Sequence, residues 1–265
     1  MARAPRRFGS VGRSEDSRDR RLSDRSRDSP AVARIEAAAL IPNFNHGRTL
    51  ADVLERTLAV LPRVLVVDDG STDDSWRAIA SFGGRVRSLR HPSNLGKGRA
   101  LRDGLRLLAA DGFTHAIALD SDGQHFPEDI PRLLETSSLA PEALAVGERD
   151  MRAAPWRSRF GLFFSNACLR VLAGVRLRDS QCGFRSYPLR AISELELFGD
   201  RYEFELEVLL KAAWAGVPIR AVPIRVTYEP PGGRISHFRP ARDFLRVALS
   251  VARCLRSRPR RRERP

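Results

Sequence analysis

Short apolar runs alternate with longer mixed segments along most of this chain, and this alternation constrains the fold more than any other feature. Five of the runs predict strands. They are Ile35 to Ile41, Val64 to Val67, Val86 to Leu89, His115 to Leu119 and Ala143 to Val146. Helical patterns follow the first four runs, and strands that alternate with helices at this spacing predict a Rossmann-like, doubly wound, mostly parallel α/β sheet with helices on both faces.

Local signals mark where the predicted helices and the first strand begin or end. The first strand is expected to end at Pro42, and the first helix to run from about Thr49 to Leu61, with its leucines on one face. Asp73 is predicted to cap the second helix, and Pro127 to occupy the first position of the fourth. The third helix is expected to start in the glycine-rich segment NLGKG and to end near Ala110.

After residue 150 the pattern changes. A helix is predicted over Ser158 to Ala173, followed by a loop and short strand in DSQCGFRSY. YEFELEVLLKAAWAG predicts another helix, VPIRAVPIRVTY one strand or a pair, and the segment from about Ala241 a basic amphipathic helix. This last helix is expected either to dock on the domain or to lie in a membrane interface.

Charge divides the chain of 265 residues, whose formal net charge is +14. Most of the excess positive charge lies at the two ends, which carry few apolar residues and are predicted to be disordered. We therefore predict a disordered tail over 1–33, a single folded domain over 34–238, the amphipathic helix over 239–257 and a basic disordered tail over 258–265. Net charge alone would also suit a nucleic-acid-binding protein, but no recognition motif is present and no nucleic-acid partner is expected.

Cysteine usage and hydropathy indicate the compartment. Cys168, Cys182 and Cys254 are widely spaced and match neither a disulfide framework nor a zinc pattern, which is typical of a reducing cytosol. No run approaches the ~20 apolar residues that cross a bilayer, and the polar N-terminal residues lack the core of a signal peptide. We expect a cytoplasmic protein.

Five loops that follow predicted strands are rich in carboxylate, amide, glycine or basic residues: PNFNH, DDGSTD, NLGKG, DSDGQH and GERD. Because parallel strands expose their carboxyl ends along one edge of a sheet, these loops are expected to meet there. In DSDGQH, Asp120 and Asp122 offer two hard oxygen ligands with the Gln124 amide beside them, a set that suits Mg²⁺ or Mn²⁺. Such an ion would hold the diphosphate of a nucleotide-sugar.

In this order and at these intervals the segments IPNFNHGRTL, VVDDGSTDDS, NLGKGRAL, LDSDGQH and DSQCGFRSY resemble the family 2 glycosyltransferases with the GT-A fold. The chain is most similar to the polyprenyl- or dolichyl-phosphate hexose synthases, and RDSQCGFR is especially similar to the dolichyl-phosphate glucosyltransferase branch. The resemblance covers about Arg34 to Ser236. It implies an inverting transfer of a hexose from a nucleotide-sugar, of the UDP-glucose or GDP-mannose type, to a lipid phosphate.

The resemblance also implies a role for individual residues. The catalytic residues would be Asp120, Asp122 and Arg149. The metal would be held by Asp120, Asp122 and Gln124. The donor would be bound by Pro42, Asn45, Val66, Asp68, Asp69, Lys97 and Ser121. The acceptor side would contain Asp179, Gln181, Arg185, Glu203 and Arg234.

Two positions depart from the pattern of the mannose synthases. His46 stands where a glutamate usually follows the asparagine of the first loop, and His237 stands after Ser236 where a lysine is usual. Arg234 or Arg239 could supply the missing positive charge.

The chemistry of the acceptor remains open at the level of sequence. A phosphate acceptor is already anionic and needs cations to hold it, and the 149–190 region is rich in arginine, including Arg149, Arg152, Arg157, Arg159, Arg176, Arg178, Arg185 and Arg190. A hydroxyl acceptor on a glycan or glycolipid needs a general base, for which Glu203 and Glu205 are the candidates. We predict a metal-dependent hexosyltransferase that acts on a polyprenyl phosphate and associates peripherally with the inner face of the membrane through its C-terminal helix. A nucleotidyltransferase is disfavoured because its glycine-rich loop would follow the first strand.

Overall fold

The computed structural model describes residues 34–150, 156–227 and 240–257. Seven strands form one sheet in the spatial order β3-β2-β1-β4-β6-β5-β7. The strands are β1 Ala37–Asn43, β2 Val64–Asp68, β3 Val86–Arg90, β4 His115–Ala118, β5 Leu144–Glu148, β6 Arg185–Pro188 and β7 Ile219–Pro223. The doubly wound, mostly parallel α/β fold predicted from the sequence is confirmed.

Eight helices accompany the sheet in the described parts of the chain. They are α1 Gly47–Val60, α2 Ser75–Ser81, α3 Lys97–Ala110, α4 Ile130–Leu139, α5 Trp156–Ala173, α6 Leu189–Ser193, α7 Glu203–Trp214 and α8 Pro240–Arg256. Every residue of β1 and β2 is buried, because these central strands are covered on both faces. The packing around Gly104 of α3 is tight: a Cβ there would lie 2.3 Å from Leu40 Cδ1.

One strand reverses the direction of the sheet. β6 runs antiparallel to both β4 and β5, whereas the other paired strands are parallel. β6 begins with Arg185 opposite Ala118, at the carboxyl end of β4, and ends with Pro188 opposite His115. The loop before β6 therefore lies at the carboxyl edge, and the strand can only run back from it.

The first strand begins and ends two residues later than predicted, at Ala37 and Asn43. Pro42 pairs in register with Val67 and Asn43 with Asp68. The Ala39 N–H points toward the β2 side, where it donates to Arg63 O, so alternate residues such as Pro42 turn their amide positions toward β4. Since β4 pairs only as far as Leu40, the missing N–H of Pro42 costs no ladder hydrogen bond.

Two other local expectations need correction, and a third is decided between its alternatives. Asp74, and not Asp73, stands at the cap position of α2, although Asp73 Oδ1 accepts the Ser75 N–H at 3.0 Å. Pro127 opens a 3-10 turn, Pro127–Asp129, ahead of α4. The segment after α7 contributes one strand, β7, and then a single bridge between Val226 and His125.

The C-terminal helix docks on the domain. Val247 and Val251 pack against the core and Cys254 is buried, while Leu249 and Leu255 are 61% and 42% exposed. Docking, one of the two predicted alternatives, is thus observed for the described side chains of α8. None of the helices in the described ranges is long and apolar enough to cross a membrane. The tails predicted over 1–33 and 258–265 lie outside the described residues.

Candidate active site

The side chains at the ends of β1 and β2 form the first part of the site. Asn43 Nδ2 lies 3.1 Å from Ser71 Oγ and 3.4 Å from Asp68 Oδ1, and all three residues are buried. Asn43 Oδ1 has no hydrogen-bond partner among the described residues, and Asp68 Oδ2 has only the Arg90 guanidinium, with Nε at 3.3 Å. Because an unpaired buried polar atom is costly, these oxygens are suited to receive donors from a ligand.

The loop after β1 is held over this pocket by side-chain hydrogen bonds. Asn45 has a positive φ of 57°, a left-handed conformation that asparagine tolerates better than most residues. Its Oδ1 accepts the Thr72 N–H at 2.8 Å, and its own N–H donates to Ser71 Oγ at 3.0 Å. Thr49 Oγ1 donates to Ser121 O at 2.7 Å and so joins this loop to the acidic segment after β4.

Asp69 has a different environment from its neighbour Asp68. Its Oδ2 accepts the Gly96 N–H at 2.7 Å, and its Oδ1 accepts the Leu95 N–H at 2.9 Å and lies 2.7 Å from His91 Nδ1. Both oxygens are therefore engaged in fixing the NLGKG loop ahead of α3. The structure gives Asp69 this internal role, and its predicted donor contact stays a prediction.

Lys97, Asp120 and Glu205 form a three-residue cluster in which Glu205 is buried and the other two side chains are half-buried. Lys97 Nζ lies 2.6 Å from Asp120 Oδ1 and 2.9 Å from Glu205 Oε1. Burial disfavours the ammonium, but the two carboxylates outweigh it and hold the pKa of Lys97 well above its usual range. Burial likewise disfavours the Asp120 carboxylate, but the Lys97 ammonium outweighs it and holds the pKa of Asp120 below its usual range. The lysine is thus charged and Asp120 ionised at neutral pH.

His125 supports Asp120 as a neutral ring. The Asp120 N–H donates to His125 Nδ1 at 3.3 Å, so Nδ1 is an acceptor and the proton sits on Nε2, which faces Cys182 Sγ at 3.9 Å. Burial lowers the pKa of His125 although Asp120 and Asp122 oppose the shift. Burial also raises the pKa of the Cys182 thiol to about 12, which agrees with a packing role for this cysteine.

Arg149 and Asp179 join the loop after β5 to the loop before β6. Arg149 Nε lies 2.6 Å from Asp179 Oδ2, and Nη2 lies 3.0 Å from Oδ1. The carboxylate is fully buried, whereas the guanidinium is 16% exposed. The positive charge of Arg149 acts on both Asp120 and His125, which places it beside the acidic segment.

The other residues predicted on the acceptor side are engaged internally or lie outside the described ranges. Arg185 is fully buried and donates to the carbonyl oxygens of Cys182, Ser180 and Glu205 at 2.7 to 2.9 Å. Gln181 Nε2 donates to Ser165 Oγ, and Glu203 Oε1 accepts two amides at the start of α7. Arg234 lies outside the described residues. Their predicted contacts with an acceptor stay predictions.

Two residues predicted at the donor are buried in the strands. The Val66 side chain lies in the core, two residues before Asp68, and Pro42 is buried in β1. Ser121 is buried directly after Asp120.

The five loops meet at one edge of the sheet, as predicted. The contacts described above for Asn43, Asp69, Lys97, Thr49 and Arg149 join the segments at this edge.

The carboxylate oxygens of the acidic segment suit a hard divalent cation whose remaining ligands come from a bound phosphate group and water. The Asp122 carboxylate accepts the Gln124 N–H at 3.0 Å through Oδ1, and one oxygen of Asp120 is taken by Lys97. No cluster of three or more metal-binding side chains occurs among the residues described. Mg²⁺ and Mn²⁺ commonly take one or two carboxylates from the protein and complete their shell with phosphate oxygens and water, which is what this set allows.

The sequence analysis missed several residues of this site. Asn43 was absent from the predicted set, although an amide at the end of a strand beside Asp68 is a usable signal. Arg90, whose Nη2 donates to Ser71 O at 2.9 Å, ends β3 and His91 follows it, and neither belongs to a recognisable motif. The role of Glu205 beside Lys97 depends on a contact between residues 108 positions apart in the sequence, and no local pattern reveals it.

Comparison with known proteins supports the sequence resemblance. The family model for glycosyl transferase family 2 matches residues 38–183. An undecaprenyl-phosphate mannosyltransferase of Micrococcus luteus is 31% identical over 203 residues, which are 72% of this chain and 83% of that protein. A polyprenol monophosphomannose synthase of Mycolicibacterium smegmatis is 29% identical over 216 residues, 76% of this chain and 81% of that protein.

Solved structures share the fold. A glucosyl-3-phosphoglycerate synthase from Mycobacterium tuberculosis, crystallised with Mn²⁺ and UDP-glucose, superposes with a TM-score of 0.62 at 20% identity. The match covers 83% of this chain and 80% of that protein. At this identity the likeness concerns the arrangement of strands and helices.

Proposed function

Because this chain belongs to glycosyl transferase family 2, we propose that it is a metal-dependent, inverting glycosyltransferase that moves a hexose from a nucleotide-sugar to a polyprenyl phosphate. The observation that carries the proposal is the acidic segment at the end of β4. Asp120 is held ionised there, with Lys97 and Arg149 close by, at the same edge as the buried acceptor oxygens of Asn43 and Asp68.

The donor nucleoside would bind over the ends of β1 and β2. Asn43 Oδ1 is an acceptor without a partner among the described residues and Asp68 Oδ2 has only Arg90, and base N–H and ribose hydroxyl groups are donors of the right kind. Asn45 and Ser71 hold the loop that closes this part of the site. The hydrogen bonds that Asp69 accepts from Leu95 and Gly96 keep the NLGKG loop in place, which leaves Lys97 near the proposed diphosphate position.

The leaving diphosphate develops negative charge as the anomeric C–O bond breaks. Asp120, Asp122 and Gln124 would hold a Mg²⁺ or Mn²⁺ ion, which when bound supplies electrostatic stabilisation of that charge. Arg149 adds a guanidinium whose orientation Asp179 fixes through two hydrogen bonds. Lys97 adds an ammonium that burial and two carboxylates keep in one place.

A phosphate acceptor suits the groups in the site better than a hydroxyl acceptor. A phosphate monoester is already anionic and requires no general base, whereas a hydroxyl does. Both candidate bases are otherwise engaged: Glu205 pairs with Lys97, and Glu203 accepts the N–H groups of Asp200 and Arg201. This choice agrees with the names of two bacterial relatives. One is an undecaprenyl-phosphate mannosyltransferase and the other is a polyprenol monophosphomannose synthase.

A lipid acceptor also requires contact with a membrane. We propose that α8 provides it, since its described half docks through Val251 and Cys254 but leaves Leu249 and Leu255 exposed together with the basic Arg256. An amphipathic helix of this composition binds the interface of an anionic bilayer. The protein would then lie on the inner face of the cytoplasmic membrane.

A transfer assay tests the proposal. Radiolabelled UDP-glucose and GDP-mannose are each supplied with a polyprenyl phosphate, with a glycolipid carrying free hydroxyls, or with neither, in Mn²⁺ and in EDTA. We expect metal-dependent transfer to the lipid phosphate and almost complete loss in Asp122→Ala with the fold retained. Transfer only to the hydroxyl acceptor would favour the alternative enzyme, and an active Asp122→Ala protein would rule out the assigned metal site.

A further inference from the structure

The ammonium of Lys97 lies where it competes for the acidic residue that a divalent cation needs. It reaches Asp120 Oδ1 at 2.6 Å and Glu205 Oε1 at 2.9 Å, so it is shared between two carboxylates. A lysine that paired with Asp120 alone would neutralise it and leave little attraction for a second cation. The presence of Glu205 changes this balance, because it offers the ammonium another anionic partner.

We propose that Glu205 is a positioning residue that shares the Lys97 ammonium with Asp120 and thereby sets the affinity of the acidic segment for a divalent cation. The inference rests on the proposed function, since it concerns the same metal site. Glu205 itself touches neither the donor nor the metal in this assignment. It acts through Lys97.

The surroundings hold the three residues of the cluster in place. Arg185 donates to Glu205 O at 2.9 Å and to Cys182 O at 2.7 Å, so one buried guanidinium anchors both the start of α7 and the loop before β6. Gly183 in that loop forms the wall of the cluster, and a Cβ there would lie 2.9 Å from both Asp120 Oδ2 and Lys97 Nζ. Neither charged group has room to move toward Gly183.

The buried position of Glu205 argues against a role as an ordinary surface acid. The residue is 4% exposed and its Oε1 contacts the ammonium of Lys97, whose side chain is half-buried. A buried carboxylate without a partner is expensive, so the pair has to be maintained when the site is filled. As a cation binds Asp120, Lys97 can keep its bond to Glu205 while it releases Asp120, and no charge is left unpaired.

A double-mutant cycle on Mn²⁺ binding tests this inference. Binding is measured from the electron paramagnetic resonance signal of free Mn²⁺ in the presence of UDP or of GDP, for the wild type, Glu205→Gln, Lys97→Met and the double variant. We expect Glu205→Gln to weaken Mn²⁺ binding about tenfold in the wild-type background, on the scale of one charge-assisted hydrogen bond. In the Lys97→Met background the same change should have an effect of about twofold or less, because Glu205 acts through Lys97.

Glu207→Gln is the matched control, because Glu207 is a buried carboxylate on the same helix. It accepts the N–H groups of Phe198 and Gly199 and pairs with Lys211 instead of with Lys97. This variant should lower the free energy of unfolding and leave Mn²⁺ affinity within about twofold of wild type. Equal effects of Glu205→Gln in both backgrounds, or no effect in either, would overturn the inference while the proposed function stands. A wild-type protein that binds no Mn²⁺ with either nucleotide would overturn both.

Discussion

Arg149 and Asp179 form a two-point ion pair that joins the loop after β5 to the loop before β6, with Nε–Oδ2 and Nη2–Oδ1 distances of 2.6 and 3.0 Å. The two residues are 30 positions apart in the sequence. Because Asp179 is fully buried, the pair both stabilises the fold and fixes the direction of a guanidinium beside Asp120.

Asp179→Asn should therefore impair stability and transfer together. Loss of one partner of a buried pair typically costs about 3 kcal/mol, which urea unfolding will detect. We expect kcat/KM to fall about tenfold or more, because Arg149 loses its fixed orientation. Arg178→Ala is the control: this arginine is 91% exposed and pairs with Glu148 at 3.4 Å, so the change should be small. Wild-type transfer by Asp179→Asn would contradict the role given to Arg149.

Asp69→Asn should loosen the NLGKG loop. In asparagine an NH₂ group, which is a donor, replaces one of the two carboxylate oxygens. Either the Leu95 or the Gly96 N–H group therefore loses its acceptor. We expect a loss of about 1–3 kcal/mol in the free energy of unfolding and a higher KM for the donor. Asp74→Asn, at a carboxylate that is 75% exposed, should leave both quantities nearly unchanged. An unaltered KM in Asp69→Asn would show that the loop does not contribute to donor binding.

Gly183→Ala should inactivate the enzyme by displacing charged groups. The new Cβ would lie 2.9 Å from Asp120 Oδ2 and from Lys97 Nζ, so at least one of them has to move. Small displacements at a reacting centre can lower rates by about 10²-fold, and we expect a loss of that order in kcat. In the control Gly84→Ala the added Cβ meets no atom within 4 Å. Equal activity of the two variants would contradict the tight packing around Asp120.

His115→Gln should change how stability depends on pH. Burial lowers the pKa of His115 from its ordinary value of 6.5, so the unfolded chain takes up a proton at a higher pH than the folded protein. The contribution of His115 is therefore complete above pH 6.5 and declines as the pH falls below it, by at most ~1.4 kcal/mol per pH unit.

The measurement for His115 is urea unfolding of both proteins between pH 5 and pH 8, a range chosen to span about 1.5 units on each side of an unperturbed histidine. The wild type should lose stability more steeply than His115→Gln below pH 6.5. His125, whose pKa burial also lowers, contributes equally to both slopes, so their difference isolates His115. Identical slopes would mean that His115 is protonated as readily in the folded protein as in the unfolded chain.

The order of strands, helices and loops was determined by the sequence itself. Periodicity reports which residues are buried, and the carboxyl ends of parallel strands necessarily share an edge, so the meeting of DDGSTD, NLGKG and DSDGQH could be predicted. The reversed direction of β6 could not be predicted, because a short run such as Arg185–Pro188 has the same burial pattern in a parallel and in an antiparallel strand.

The partners of the charged side chains were decided only by the tertiary structure. Asp68 and Asp69 are adjacent, yet one has an oxygen that faces the proposed donor pocket and the other holds the loop before α3, because successive side chains at a strand end point in different directions. Lys97 and Glu205 meet only when α3 and α7 pack together. Sequence patterns encode burial and local geometry, whereas charge pairs between distant segments depend on where the folded chain brings them.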